Sequence, residues 1–235
     1  MRIIANACEE ANLPIRTLPN IGDMVSGKVT LVHQLRALSI EDLLGRDKVE
    51  LNWENINKAI AGKTVMITGG GGSIGSILCH QIAELGPKGL IVFDNCEFNL
   101  YNINVALRNK YEAMDIKFVL GDICDRLKTE HIIASEKPDF IFHAAAYKHV
   151  PILEADAYEA VRNNVLGTKN MIDLADKYNC EKFVFISTDK AVNPVNILGI
   201  SKRIAEMICE SKDKESATKY ITVRFGNVLG SNGSV

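Results

Sequence analysis

Short apolar runs recur from residue 63 onward, at Thr64 to Thr68, Leu90 to Phe93, Lys117 to Leu120, Phe140 to His143, Phe183 to Ile186 and Ile221 to Phe225. They are continuous rather than alternating, the pattern of strands covered on both faces. Between them lie mixed segments long enough for a helix, approximately 74 to 85, 98 to 110, 125 to 135, 157 to 178 and 198 to 211, with Asn95 placed to cap the second. Strand and helix in regular succession are βαβ winding, so the expected fold is α/β with a doubly wound parallel sheet.

The first fifty residues have another texture. Pro14, Pro19 and Asn20-Ile21-Gly22 interrupt short apolar stretches, and a charged run extends from Glu41 to Lys48. Such a segment has too little apolar material for a core of its own. The expected organisation is an N-terminal arm, or the remnant of a preceding domain, over 1–50 and a dinucleotide-binding domain over 51–235.

Composition removes several function classes. Of 235 residues, 47% are hydrophobic and 24% charged, as in a globular protein, and no apolar run approaches the roughly 18 residues that cross a bilayer. Twenty-seven Lys and Arg against twenty-nine Asp and Glu leave a net charge of -2, with no basic run, so nucleic acid is not an expected partner. The six cysteines (Cys8, Cys79, Cys96, Cys124, Cys180, Cys209) form no CxxC pair and read as reduced thiols of a cytoplasmic protein. The five histidines are equally dispersed, so no metal site is expected.

Candidate chemistry begins after the first strand, in Thr68-Gly69-Gly70-Gly71-Gly72-Ser73-Ile74-Gly75. Glycines between a strand and a helix let the backbone turn tightly and approach a pyrophosphate, while the helix N-terminus offers N–H donors. Four consecutive glycines satisfy GxGxxG (Gly70, Gly72, Gly75) and TGxxGxxG (Gly69, Gly72, Gly75) alike, so the register is ambiguous. Asp94, nineteen residues after Gly75 at the end of the second strand, can accept from ribose hydroxyls and repel a 2′-phosphate, which favours NAD over NADP. Asp122, ending the third strand before Ile123, can meet an adenine edge or cap the next helix.

The fifth strand ends in Ser187-Thr188-Asp189-Lys190-Ala191. A hydroxyl, a carboxylate and an ammonium in succession can hold a substrate alcohol, give a proton and accept one. Lys202 follows on the next helix, but Leu198 stands where a short-chain dehydrogenase carries Tyr four residues before that Lys. Tyr178 and Lys182 form a literal YxxxK, yet Lys182 opens a strand, which makes the pair a decoy.

Thr68 to Gly75, His143 to Pro151, Ser187 to Pro194 and Arg224 to Ser231 together resemble the nucleotide-sugar 4,6-dehydratases of bacterial polysaccharide biosynthesis. These form the capsular-polysaccharide branch of the extended short-chain dehydrogenases, with a Rossmann fold. Leu38 to Arg46 is similar to the arm before the catalytic domain in long, membrane-anchored members. The resemblance implies conversion of a UDP-N-acetylhexosamine, most often UDP-N-acetylglucosamine, to its 4-keto-6-deoxy sugar, with NAD recycled in each turnover. It implies a cofactor site of Gly69, Gly72, Ser73, Ile74, Gly75, Asp94, Asp122, Ile123, Ala144, Ala145, Ala146, Lys148 and Lys202. It further implies that Thr188 holds the 4-hydroxyl, Asp189 protonates the departing C6 hydroxyl, Lys190 is the base at C5 and Lys202 binds the nicotinamide ribose. Lys148 would touch cofactor and substrate, and Asn227 the substrate diphosphate.

Partners expected on the same grounds are a UDP-sugar and a second copy of the chain, with no membrane contact from this stretch itself. Two departures from the family pattern stand out. Leu198 replaces Tyr, or the Met of the long branch, and cannot transfer a proton. The sequence also stops at Val235, where family members continue into a smaller sugar-nucleotide domain, so most of the substrate lobe is expected to be lacking. Two other readings remain open: a nucleotide-sugar 4-epimerase, which shares the first hydride step, and an NAD-binding module without turnover.

Overall fold

The apolar runs form a six-stranded sheet in which every neighbouring pair is parallel. The computed structural model describes residues 16–17, 36–37, 52–226 and 228. The chain divides into two compact units, Met1–Asn52 and Trp53–Val235. In the first, β1 (Arg16–Thr17) pairs antiparallel with β2 (Arg36–Ala37). The rest of the expected arm, including Leu38 to Arg46, lies outside the described residues.

The second unit holds β3 (Thr64–Thr68), β4 (Gly89–Asp94), β5 (Ile116–Leu120), β6 (Phe140–His143), β7 (Lys182–Thr188) and β8 (Lys219–Phe225). Their order across the sheet is β5-β4-β3-β6-β7-β8. The helices are α1 (Trp53–Ile60), α2 (Ser73–Glu84), α3 (Glu97–Lys110), α4 (Arg126–Glu136), α5 (Val150–Ala155), α6 (Ala157–Glu159), α7 (Thr168–Lys177) and α8 (Ile197–Asp213). Among the described residues no helix is long and apolar enough to cross a membrane.

Helices cover both faces, which is why the strand sequences do not alternate. Within β3 and β4 the side chains still part by twos: Val65, Ile67, Leu90 and Val92 join Cys79, Ile82 and Leu107 of α2 and α3 in one cluster. Met66, Ile91 and Phe93 join Ile133, Met171 and Ile172 of α4 and α7 in another. Phe93, Phe183 and Phe185 are fully buried in the second cluster, and truncating any of them to Ala costs ~3–5 kcal/mol.

From β3 the chain winds outward through β4 and β5, then returns to β6 on the other side of β3. The crevice at the carboxyl ends of β3 and β6 is therefore the topological switch point, where ligands of open α/β sheets bind.

Three local expectations are corrected. Asn95 does not cap α3: the N-cap is Cys96, and the Asp94 carboxylate takes the Cys96 N–H instead, at 2.8 Å. Asp122 does not cap α4 either, because Asp125 does so by accepting from Lys128 N. The helix expected over 157 to 178 runs through α6 and α7 but is π-helical from Ala160 to Gly167. The wider turn buries both Asn163 and Asn164.

Candidate active site

The glycine turn joins β3 to α2, and its register follows from what each glycine touches. Gly69 has φ +67, and a Cβ there would come within 2.7 Å of Ala145 N. A Cβ on Gly75 would stand 2.0 Å from Gly69 O. Gly72 begins α2 and brings no side-chain cap, so an anion here would supply acceptors to first-turn N–H groups. Gly70 faces the other way: its Cβ would strike Val92 at 2.5 Å, and its N–H donates to Phe93 O. Gly69, Gly72 and Gly75 therefore line the crevice, which selects the TGxxGxxG register, while Gly70 and Gly71 are small because Val92 and Asn99 crowd them.

Asp94 lies buried at the end of β4 and accepts from Gly71 N and Cys96 N, each at 2.8 Å. It thus braces the turn while lining a cavity of about 190 Å³. Other walls of that cavity are Asn99, Gly121, Ile123, Ala144 to Ala146, Tyr147 and Asn163. A second cavity, of about 570 Å³, shares Gly69, Gly72, Ala144, Ala146 and Tyr147 and adds Ser73, Ile74, Gly75, Lys148 and α5.

The ledge Ala144 to Lys148 between the cavities is held by buried side chains. Thr68 Oγ1 lies 2.7 Å from His143 Nδ1, and His143 Nε2 lies 3.0 Å from Thr168 Oγ1, which donates to Asn164 O. Because Thr168 spends its proton on Asn164, His143 must donate from Nε2 and accept at Nδ1. Burial pushes the His143 pKa down to about 3, so the ring is a neutral strut rather than an acid or base. Asn164 closes a two-point clamp on Tyr147, accepting from its N–H at 2.9 Å and donating to its carbonyl at 3.0 Å.

Asp122 sits beside the first cavity without lining it. Its carboxylate accepts from Cys124 N and pairs with Arg162 at 3.0 Å. Burial opposes ionisation, but these contacts outweigh it and hold the carboxyl below its usual range.

Thr188, Asp189 and Lys190 end β7 and continue into a single 3₁₀ turn, Asp189–Ala191. Because β3, β6 and β7 are parallel, with Thr68 level with His143 and His143 level with Phe185, this turn shares the carboxyl edge with the glycines. None of the three lines either cavity. Thr188 Oγ1 donates to Asp189 Oδ1 at 3.0 Å, and Lys190 Nζ lies 3.3 Å from the same oxygen. Slight burial raises the Asp189 pKa, yet those two donors outweigh it and the carboxyl stays below its ordinary value. Lys202 is buried, donates to Ile186 O at 2.9 Å and lies 4.6 Å from the centre of the Phe185 ring. Burial lowers its pKa to about 8.

Leu198 packs in an apolar cluster with Leu153 and Ala160. Tyr178 ends α7 and donates to Glu130, away from the crevice, as expected of a decoy. Asn227 lies outside the described residues. Sequence reasoning missed Tyr147, Asn163, Asn164 and Glu206; the Asn163-Asn164 pair inside a helical segment was the available signal, since a buried amide demands partners.

A family model described as polysaccharide biosynthesis protein matches residues 65–235. The chain belongs to that family. It is 42% identical over 234 residues, 99% of the chain, to the capsular polysaccharide biosynthesis protein CapD of Staphylococcus aureus, and spans 39% of that protein's length. Similarity to a UDP-glucose 4-epimerase of Rickettsia canadensis is 37% identity over 176 residues, 74% of this chain and 51% of the relative. A UDP-N-acetylglucosamine 4,6-dehydratase (inverting) of Campylobacter jejuni is 32% identical over 177 residues, again 74% of this chain and 52% of the relative. Among solved structures, Pen from Bacillus thuringiensis superposes with a TM-score of 0.68 at 35% identity, covering 75% of this chain and 53% of that one. UDP-glucose 4-epimerase from Brucella ovis in complex with NAD has a TM-score of 0.62 at 24% identity over 73% and 54%, a likeness of fold.

In this polysaccharide biosynthesis family member the residues present fit a dinucleotide. The positions a Cβ would fill, Gly69 and Gly75, sit at an uncapped helix start, and a buried carboxylate stands at the adjoining strand end.

Proposed function

We propose that this polysaccharide biosynthesis family member carries the NAD-binding fold and the reacting groups of a nucleotide-sugar 4,6-dehydratase. Its substrate is a UDP-N-acetylhexosamine, UDP-N-acetylglucosamine first, converted in the cytoplasm to the 4-keto-6-deoxy sugar for a surface polysaccharide. One observation carries the reading: the glycine turn after β3 and the Thr188-Asp189-Lys190 turn after β7 lie on one edge of a parallel sheet. A carboxylate and an amine beyond a binding hydroxyl serve elimination across C5 and C6, which epimerisation does not need.

Bound NAD would supply the hydride chemistry, a reversible acceptor for C4 and donor for C6 within one turnover. Gly69, Gly72, Ser73, Ile74 and Gly75 hold its pyrophosphate, Asp94 its adenosine ribose, Asp122 and Ile123 its adenine, Ala144 to Ala146 and Lys148 its central part. Lys202 holds the nicotinamide ribose. Thr188 takes the 4-hydroxyl, and Asn227 the diphosphate of the sugar nucleotide.

The proton balance assigns Asp189 two acts. With Leu198 buried among aliphatic side chains, the 4-hydroxyl proton passes through the Thr188 hydroxyl to Asp189 Oδ1, along the hydrogen bond already made at 3.0 Å. An ionised Asp189 suits this first act, and its depressed pKa keeps it ionised. The neutral acid then protonates the departing C6 hydroxyl, while Lys190 serves as the base that removes and returns the C5 proton. The 4-hydroxyl proton and the C6 hydroxyl leave together as water.

Incubating the full-length protein with NAD and UDP-N-acetylglucosamine tests the proposal. The expected product is the 4-keto-6-deoxy sugar, lighter by one water. The kinship with a 37%-identical 4-epimerase supports the second reading, and a C4 epimer without loss of water would establish it instead. Cofactor binding with no conversion of the sugar would leave only an NAD-binding module.

A further inference from the structure

Glu206 is fully buried on α8, one turn beyond Lys202. Its carboxylate accepts from Ser187 Oγ at 2.6 Å, from Arg224 Nε at 2.8 Å and Nη2 at 2.6 Å, and from Arg203 Nη1 at 3.0 Å. Four donors on two oxygens satisfy a charge that would otherwise be costly to bury. Two of the partners are not arbitrary: Ser187 and Arg224 are Cα partners on one rung of the β7–β8 ladder. The next rung, Thr188 with Phe225, is the last of that ladder.

Immediately past these rungs come Asp189 and Lys190 on one strand and Gly226 on the other. The two ends stay close, for a Cβ on Gly226 would lie 3.7 Å from Asp189 Oδ2. A slip of one residue in a ladder turns every side chain to the opposite face. Ser187 would then leave Glu206, and Thr188 would point into the core. Ion pairs of this kind add little net stability over an apolar replacement, but they specify one arrangement against its neighbours.

The geometry points to Glu206 as a positioning residue: through Ser187 and Arg224 it locks the last rungs of β7 and β8, and so fixes where Thr188, Asp189 and Lys190 stand. The role in turnover rests on the dehydratase reading; the locking of the strand ends does not. Ionisation is secure, because Arg224 and the other donors outweigh burial and hold the carboxyl at about 2.

The test compares Glu206→Gln, Ser187→Ala and Arg224→Lys in the full-length protein by amide hydrogen exchange, NAD titration and steady-state kinetics with UDP-N-acetylglucosamine. Expected in Glu206→Gln is exchange at least about tenfold faster at residues 187–190 and 224–226, with β3 to β6 unchanged. NAD affinity and KM should stay within about twofold while kcat falls about tenfold or more, as for an interaction that matters only in the transition state. Ser187→Ala should share the loss, and combining it with Glu206→Gln should add little, since one contact is removed twice. Should Glu206→Gln misfold, the milder Ser187→Ala and Arg224→Lys give the same reading. Exchange accelerated equally across all six strands, or kcat unchanged in all three variants of an active enzyme, overturns the inference. If the wild-type protein shows no dehydration but local exchange responds as stated, the dehydratase reading fails and the locking of the strand ends stands.

Discussion

At the end of β3 the molecule works with backbone and with missing side chains: Gly69, Gly72 and Gly75 clear a surface, and Asp94 ties down the turn through two N–H groups. At the end of β7 it works chiefly with side chains, three consecutive polar groups joined through one carboxylate oxygen. The first construction recognises a ligand by shape and is intolerant of added volume. The second leaves its acid and its amine half-exposed at the strand end, open to a substrate. Substitutions at the two ends should therefore fail in separable ways, one in binding and one in turnover.

The largest separation is expected from Asp189→Asn. The amide still fills the turn but can neither take the Thr188 proton nor give one up, so turnover should fall by about a thousandfold. NAD affinity should remain within about twofold, measured by titration of the same sample. Equal loss of both would mean that Asp189 belongs to the binding construction.

Gly75→Ala should show the reverse. Its Cβ would stand 2.0 Å from Gly69 O and within 2.8 Å of Gly69 C and Gly70 Cα, all backbone atoms with no flexible group to yield. The overlap costs ~2–3 kcal/mol, which corresponds to roughly a hundredfold in affinity if relief comes by distorting the turn. Titration with NAD reads it directly, and unchanged affinity would show that the turn does not meet the pyrophosphate.

This contrast also explains how much was legible in the sequence. All six strands of the main sheet were, because each carries a short apolar run: β3 and β4, covered on both faces, are apolar nearly throughout, while β5 and β8 leave several positions exposed and keep enough apolar residues to be seen. The glycine register was not, since Gly70 differs from Gly69 only in what lies beside it, Val92 rather than the crevice. Asn95 failed as a cap because α3 begins one residue too late for it: Cys96 holds the N-cap position and supplies no side-chain bond, a boundary shift that apolar spacing does not fix. The π-helical turn from Ala160 to Gly167 leaves no mark in apolar spacing, so the clamp of Asn164 on Tyr147 was hidden with it. Nothing in the sequence singles out Glu206; its partners Ser187 and Arg224 are brought to it only by strand pairing.

Lys202 stands between the two constructions and should respond to pH in two opposite senses. Its pKa in the folded chain is about 8, against 10.5 ordinarily, because burial disfavours the ammonium. Between those values the unfolded chain holds the proton and the folded chain does not, so stability should rise with pH across that window, by at most about 3 kcal/mol. If the ammonium grips the nicotinamide ribose, NAD affinity should instead fall above about pH 8, by up to about tenfold per pH unit. Urea melts and NAD titrations at matched pH separate the two trends. A Lys202→Met variant should lose both, and affinity falling with pH in that variant would assign the effect to another group.

The smallest effect is expected at Leu198. Its side chain is 5% exposed and packs on Leu153 and Ala160, so the site asks for apolar volume. Methionine supplies nearly the same volume on a more pliable stem, and Leu198→Met should cost less than about 1.5 kcal/mol. Turnover should move by less than about threefold, a fraction of the tenfold that 1.4 kcal/mol would bring. Tyrosine is the sharper probe. Its hydroxyl must find a partner or reach the crevice, since burying it unpaired costs ~1–3 kcal/mol. If the proton of the 4-hydroxyl already travels through Thr188 to Asp189, a phenol at 198 has no step left to serve. Leu198→Tyr should then lower stability without raising kcat, and a severalfold gain in kcat would show that the Thr188–Asp189 path is the poorer of two routes.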